Sequence, residues 1–64
     1  MTQKELLYVE DAVGHETNII NIIKATIPNL QDENLKTFME SEINVHTSTK
    51  EKLMNMLGGK ANEW

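Results

Sequence analysis

The sequence predicts an all-α protein: a two-helix antiparallel hairpin that forms a four-helix bundle by homodimerisation. Three observations support this fold. Apolar residues recur every three or four positions on both sides of Pro28, the chain has 64 residues, and it contains no cysteine. A chain of this length buries only about 60% of the surface that it exposes when unfolded. Because disulfides are excluded, self-association or a bound metal would have to supply the missing stability.

The first helix is predicted over residues 3–27. Thr2 and Glu5 have the spacing of a capping box, in which each residue satisfies a backbone N–H of the other. The apolar positions that follow lie on one stripe of a helix: Leu6, Val9, Val13, Ile20, Ile23 and Ile27. Pro28 ends this helix, because proline lacks a backbone donor and disfavours helical conformation in the residue before it.

The second helix is predicted over residues 30–58, after a turn at about residues 28–30. Asn29 is the expected N-cap, and acidic residues follow it in the first turn. The apolar positions of this helix are Leu35, Phe38, Met39, Val45, Leu53, Met56 and Leu57. Gly58 and Gly59 end the helix, and residues 59–64 are expected to fray. A connection this short makes the helices antiparallel neighbours in a single domain, residues 1–64.

A hairpin centred near Asn29 aligns residues whose numbers add up to about 58. This register predicts three apolar pairs in the core: Val13 with Val45, Ile20 with Phe38, and Ile23 with Leu35. Other apolar residues lie beside the main stripe: Leu7, Ile19, Ile22, Ile43 and Leu57. Since two helices touch along one stripe only, we expect a second copy to cover these residues.

Both apolar stripes are interrupted by charged residues at one level of the predicted hairpin. Glu16 occupies an apolar position of the first helix and falls opposite Glu42 of the second. His46 lies one turn from Glu42, and His15 precedes Glu16. A buried carboxylate without a partner is costly, so two of them in one layer indicate a specific role.

Three interpretations of this layer are open. Inward carboxylates and imidazoles form metal sites in helical bundles, and a dimer would supply four carboxylates and two imidazoles. Such ligands suit iron, manganese or zinc, with Glu16, Glu42, His46 and His15 as candidates. Alternatively, Glu42 and His46 share a hydrogen bond, and the layer fixes the register of the bundle. In the third interpretation, a small rotation of the first helix leaves Glu16 outside the core.

Composition disfavours several classes of function. The net charge of −4 and the lack of a basic cluster argue against nucleic-acid binding. The apolar tracts are far shorter than the ~20 residues that span a bilayer, so no membrane partner is expected. The first residues lack the pattern of a signal peptide, which predicts a cytoplasmic and not a secreted protein. No catalytic motif is complete, and we therefore do not expect an enzyme.

Several short motifs are spread over residues 4–59: residues 10–16, Pro28, Leu35 with Phe38, His46, Leu53, and the Gly58-Gly59 pair. Together they resemble the small spore-coat hairpins of spore-forming Firmicutes, in the coat F group, and more loosely ferritin-like helical pairs. The resemblance implies a spore-associated helical protein whose partners are itself and other proteins of the spore layers. Trp64 is the nearest counterpart of the aromatic C-terminus usual in the coat F group, at a different spacing.

The ferritin-like side of this resemblance implies metal on an inward Glu of the first helix, matching Glu16, and on a Glu-x-x-His pair in the second. The spacing of that pair differs here, because Ile43 stands three residues before His46 and Glu42 stands four before it. The i, i+4 spacing still puts both side chains on one helix face. Ferroxidase-type chemistry would be the corresponding activity.

Two functions follow as hypotheses from different classes. The first is a structural or interaction protein, a homo-oligomeric helical bundle. The alternative is a ferritin-like bundle that binds iron, manganese or zinc through inward Glu and His. A third hypothesis is a docking module whose apolar stripe receives a helix of another protein.

Overall fold

A computed structural model describes residues 1–58 of the chain. Helix α1 spans Gln3–Thr26, a short 3-10 turn spans Ile27–Asn29, and helix α2 spans Glu33–Met56. The part of the chain described contains no strand. The two helices run antiparallel, because Glu16 near the middle of α1 contacts His46, while Leu6 and Leu57 line one depression at the open end. The predicted helical hairpin is therefore confirmed.

The start of α1 is fixed by the predicted capping box. The Thr2 hydroxyl accepts a hydrogen bond from the Glu5 backbone N–H at 3.0 Å, and the Thr2 backbone N–H donates to Glu5 Oε1 at 2.7 Å. These contacts satisfy donors that the first turn of a helix leaves free. The bond from the Thr2 backbone, followed by the Thr2 side chain, lowers the pKa of the Glu5 carboxyl below its ordinary value. The capping box thus favours the ionised form of Glu5.

The connection between the helices is longer than the sequence predicts. Pro28 lies at the start of the 3-10 turn, where its missing N–H costs nothing, and Leu30 after it is extended. The N-cap of α2 is Asp32, whose carboxylate accepts a hydrogen bond from the Leu35 N–H at 3.0 Å. Helix α2 therefore begins at Glu33, three residues after the predicted boundary.

Asn29 does not cap α2, contrary to the prediction. Its side-chain amide instead donates to the Ala25 carbonyl at the end of α1, at 3.2 Å. Asn and Asp are nearly equal as N-cap residues, so residue type alone does not decide between Asn29 and Asp32. The 3-10 turn decides between them because it keeps Asn29 associated with the first helix.

The longer connection shifts the register between the helices by about one turn. Glu16 contacts His46, whereas the predicted register placed it opposite Glu42. The centre of the hairpin lies about two residues closer to the C-terminus than predicted. Each residue of α1 therefore meets a residue of α2 that is about four positions after its predicted partner.

The structure overturns the three predicted core pairs. Val45, Phe38 and Leu35 are all exposed, although Val13, Ile20 and Ile23, their expected partners on α1, are buried. A shift of one turn keeps the same side of a helix towards its partner, so the exposure of these residues reflects which side of α2 faces α1. The row of α2 that faces α1 contains Met39, Ile43, Leu53 and Leu57, about 100° round the helix from Phe38 and Val45. Leu57 was expected beside the main stripe, but it is buried within this row.

The resulting core is thin. Its buried residues among those described are Val13, Ile20, Ile23 and Leu57. Several further apolar side chains of the helix interface are half-buried: Leu6, Val9, Met39, Ile43 and Leu53. Gly58, which has a φ of 65°, follows Leu57 in the left-handed conformation that glycine adopts at low cost after a helix. Helix α2 ends at Met56, two residues before the predicted bound, and Gly58 lies just beyond its cap residue Leu57. Gly59 and the predicted frayed tail lie outside the described residues.

Within residues 1–58, neither helix combines the length and the apolar character needed to cross a lipid bilayer.

Candidate functional site

The two helices bring three charged side chains together at mid-length. Glu16 projects from α1, and Glu42 and His46 project from successive turns of α2. We call these three residues the polar layer. Glu16 and Glu42 were predicted to share one level, with His46 one turn away. The structure instead places His46 between the two carboxylates. The interpretation in which Glu16 lies outside the helix interface is therefore wrong.

The shortest contact of the polar layer joins His46 Nδ1 to Glu16 Oε2 at 2.6 Å. An ionised carboxylate can only accept hydrogen bonds, so this contact puts a proton on Nδ1 of the imidazole. The other ring nitrogen, Nε2, lies 3.6 Å from Glu42 Oε2. That distance is too long for a hydrogen bond but is within the range of an ion pair when the ring is protonated on both nitrogens. His46 is thus held tightly by Glu16 and loosely by Glu42.

The polar layer is sheltered but not sealed from solvent. The side chains of Glu16, His46 and Glu42 are 17%, 27% and 30% exposed, respectively. No buried side-chain nitrogen or oxygen of the described residues lacks a hydrogen-bond partner. Charges in such a setting interact more strongly than on an open surface, because less water screens them. One edge of the layer, on the side of Glu42, remains open to a further partner.

His15 does not join the polar layer, although it was named as a candidate ligand with the other three residues. Its side chain is exposed, while Glu16 beside it faces α2. Neighbouring residues on an α-helix point about 100° apart, so both cannot face the same partner helix. His15 therefore lies on the side of α1 next to the helix interface.

The geometry of the polar layer within one copy does not suit a metal ion. The imidazole ring separates the carboxylates, with Glu16 at Nδ1 and Glu42 near Nε2. Nδ1 and Nε2 point in different directions from the ring, so the three side chains do not converge on one point within one copy. Residues 1–58 contain no group of three or more His, Cys, Asp or Glu side chains placed to hold a metal ion. Within a single copy, the layer is a hydrogen-bonded acid–imidazole cluster.

Sequence reasoning predicted only part of a set of large apolar side chains on the outside of the hairpin. Nine such residues are exposed: Met1, Leu7, Tyr8, Ile19, Ile22, Leu35, Phe38, Val45 and Met56. Leu7, Ile19 and Ile22 were expected beside the core, but Leu35, Phe38 and Val45 were assigned to it. A signal was present in the spacing of three and four residues between Leu35, Phe38, Glu42 and Val45, which defines a second row on α2.

Comparison of the chain with protein-family models, with curated proteins and with solved structures finds no match. Fold and site therefore define the class of this protein without a family. It is a helical hairpin with a thin apolar core, an acid–imidazole layer at mid-length, and an apolar surface outside the core.

Proposed function

We propose that this chain is a structural or interaction protein that associates with a second copy of itself to complete a four-helix bundle. The observation that carries the proposal is the imbalance between core and surface. Four residues are buried between the two helices, while nine large apolar residues of the part described are exposed. Scattered exposed apolar residues are normal, but a contiguous apolar surface on a small helical protein is typical of an interface.

The dimensions of the hairpin support this proposal. Its accessible surface is 4802 Å². A compact monomeric protein of this mass, 7.3 kDa, has about 4,200 Å² according to the general scaling of surface with mass. The hairpin is an elongated body of 45 × 17 × 14 Å, and each helix has the other as its single neighbour. Pairing two hairpins side by side would give every helix two neighbours, as in an ordinary four-helix bundle.

The experiment is a measurement of the molar mass of the purified chain by sedimentation equilibrium, from low micromolar to millimolar concentration. We expect a species of twice the 7.3 kDa chain mass at the upper end. Thermal stability should increase with concentration, because association stabilises the folded form by mass action. A chain mass of 7.3 kDa throughout would refute self-association and favour the docking of a helix from another protein. A stable trimer would contradict the four-helix count.

Metal binding is the second candidate function, and the observation that favours it is the proximity of Glu16, Glu42 and His46. Within one copy these side chains do not converge, so metal binding would depend on ligands of a second copy. Carboxylates and imidazoles suit iron, manganese or zinc. The spore-coat and ferritin-like resemblance, with its spore association and further partners, stays a prediction of the sequence.

Titration with Zn²⁺ or Mn²⁺ distinguishes the two functions. If the layer has a packing role only, the dimer should form in the presence of a chelator, and added metal should leave the melting temperature unchanged. A saturable rise in melting temperature at a fixed ratio of metal to chain would favour metal binding. Glu42→Gln is the matched control, because it removes one candidate ligand but leaves the bond between Glu16 and His46 in place.

A further inference from the structure

We propose that the second copy packs against one specific face of the hairpin and that the polar layers of the two copies meet at the centre of this interface. The inference rests on the proposed self-association and adds which surface is used. We call this surface the apolar face. It consists of one row of residues on each helix, both on the same side of the hairpin: Tyr8, Ala12, His15, Ile19 and Ile22 on α1, and Leu35, Phe38, Glu42, Val45, Thr49 and Met56 on α2.

The row on α1 repeats at steps of four and three residues, which keeps it on one side of the helix. Its large members, Tyr8, Ile19 and Ile22, are exposed. The row is displaced by about 100° from the core row that contains Val13 and Ile20. Helix α1 therefore has two adjacent apolar rows, of which α2 covers one.

Helix α2 likewise has an exposed row with large apolar residues beside the row that faces α1. Phe38, Val45 and Met56 are exposed apolar residues of this row, interrupted by the polar residues Glu42 and Thr49. It is also displaced by about 100° from the row that faces α1, and in the same rotational sense. Two antiparallel helices are related by a two-fold axis perpendicular to the plane of the hairpin. Equal displacement in the same sense therefore places both rows on one face of the molecule.

The opposite face of the hairpin is polar. Rotation by about 100° in the other sense leads to Glu10, Gly14 and Asn21 on α1, and to Glu40, Thr47 and Glu51 on α2. Two depressions lie on this side: Glu10, Gly14 and Met54 line one, Asn21 and Thr47 line the other, and Lys50 lines both. An apolar partner is therefore expected on one side of the hairpin only.

The apolar face has the size of a dimer interface. The whole hairpin extends 45 by 17 Å, so one full side of it has an area close to the roughly 800 Å² per partner that a stable interface of standard size buries. An aromatic residue from each helix, Tyr8 and Phe38, lies in the face, and aromatic residues are enriched in interface cores. The face can therefore accommodate a second hairpin along its whole length.

Charge and symmetry favour a second copy as the occupant of this face. Glu42 and His15 both lie in the apolar face near mid-length, so the face presents a carboxylate and an imidazole. In a two-fold dimer with both turns at the same end, α1 of each copy lies over α2 of the other, so His15 lies over the helix that carries the partner copy's Glu42. Glu42 has an open edge, since its contact with His46 spans 3.6 Å.

The polar layers of the two copies reach the same level in either orientation, but His15 lies over the helix that carries Glu42 only when both turns are at the same end. If both turns lie at the same end of the dimer, each level along one hairpin lies beside the same level of the second hairpin. If the turns lie at opposite ends, the levels that coincide are those at mid-length, and Glu16 and His46 lie close to the middle of Gln3–Thr26 and Glu33–Met56. The two polar layers therefore reach the same level in both arrangements, and misaligned dimers would bury charges against apolar side chains.

A matched pair of substitutions tests the face. Val45 and Leu7 are both 55% exposed, but Val45 lies in the apolar face and Leu7 points away from it. We expect Val45→Glu to weaken the dimer by about 100-fold or more in dissociation constant, since it buries an unpaired charge in the interface. Leu7→Glu should leave the dissociation constant within about threefold of the original. Equal effects of both substitutions would overturn the assignment of the face.

A second measurement covers the case in which Val45→Glu fails to fold. The described residues and the tail contain no cysteine, so a single introduced thiol can be labelled without background. We expect labelling of Val45→Cys to slow by about tenfold as the chain associates, whereas Asn44→Cys, about 100° further round α2, should react at a constant rate.

The possible outcomes separate the two proposals. A wild-type chain that stays monomeric refutes the proposed function and the face together. A wild-type dimer in which Asn44→Cys is protected and Val45→Cys is not leaves the proposed function standing and overturns the face. Protection of Val45→Cys that requires a different protein would assign the face to another partner and also overturns this proposal.

Discussion

His46→Leu is expected to destabilise the hairpin by roughly 2–3 kcal/mol, more than any other single change in the polar layer. The substitution removes the hydrogen bond at 2.6 Å between His46 Nδ1 and Glu16 Oε2. The Glu16 side chain is 17% exposed and would then face apolar atoms with no donor in its place. Most of the lost stability comes from leaving the Glu16 carboxylate half-buried without a hydrogen-bond partner, and less comes from the interaction energy of the pair itself. Urea denaturation at a fixed chain concentration measures the change.

Two further variants test whether the loss in His46→Leu comes from the contact between Glu16 and His46. Glu42→Leu should cost less than about 1 kcal/mol, because its contact with His46 spans 3.6 Å and its side chain is more exposed. The double variant Glu16→Leu with His46→Leu should recover most of the loss, since an apolar pair often replaces a buried ion pair without penalty. If His46→Leu were as stable as the original chain, or if Glu42→Leu cost as much, the polar layer would not stabilise this hairpin.

Ile20→Ala is expected to reduce stability by about 2–5 kcal/mol and, in so small a protein, to leave most of the chain unfolded at room temperature. Ile20 is 8% exposed and belongs to a core of four buried residues, so the lost side chain leaves a gap that few neighbours can fill. Helical content by circular dichroism, followed during thermal melting, measures the loss.

Leu7→Ala is the matched control for the core substitution. Leu7 is an exposed apolar residue of the same helix, and it lies away from both the core and the apolar face. Its replacement should change stability by no more than about 0.5 kcal/mol. A small effect at Ile20, comparable with that at Leu7, would mean that packing between α1 and α2 is not what holds the hairpin together.

Part of the candidate site could be predicted from the sequence. Glu16, Glu42 and His46 interrupt apolar stripes, and this pattern alone indicated that they lie between the helices. The pairing within the layer could not be predicted, because it depends on the register, and the register depends on the number of residues in the connection. The exclusion of His15 follows from helix geometry, since Glu16 next to it faces α2.

The sequence by itself determined the local structure of this protein. The Thr2–Glu5 capping box and the stop at Gly58 act over a few residues, and the apolar spacing shows which side of α1 is buried. Tertiary structure decided the rest. The 3-10 turn and the Asp32 cap lengthen the connection and shift the register by about one turn. Packing turns a different side of α2 towards α1, which leaves Leu35, Phe38 and Val45 on the surface. Local signals fix each helix, but the level at which two helices meet is set by the connection and by packing between them.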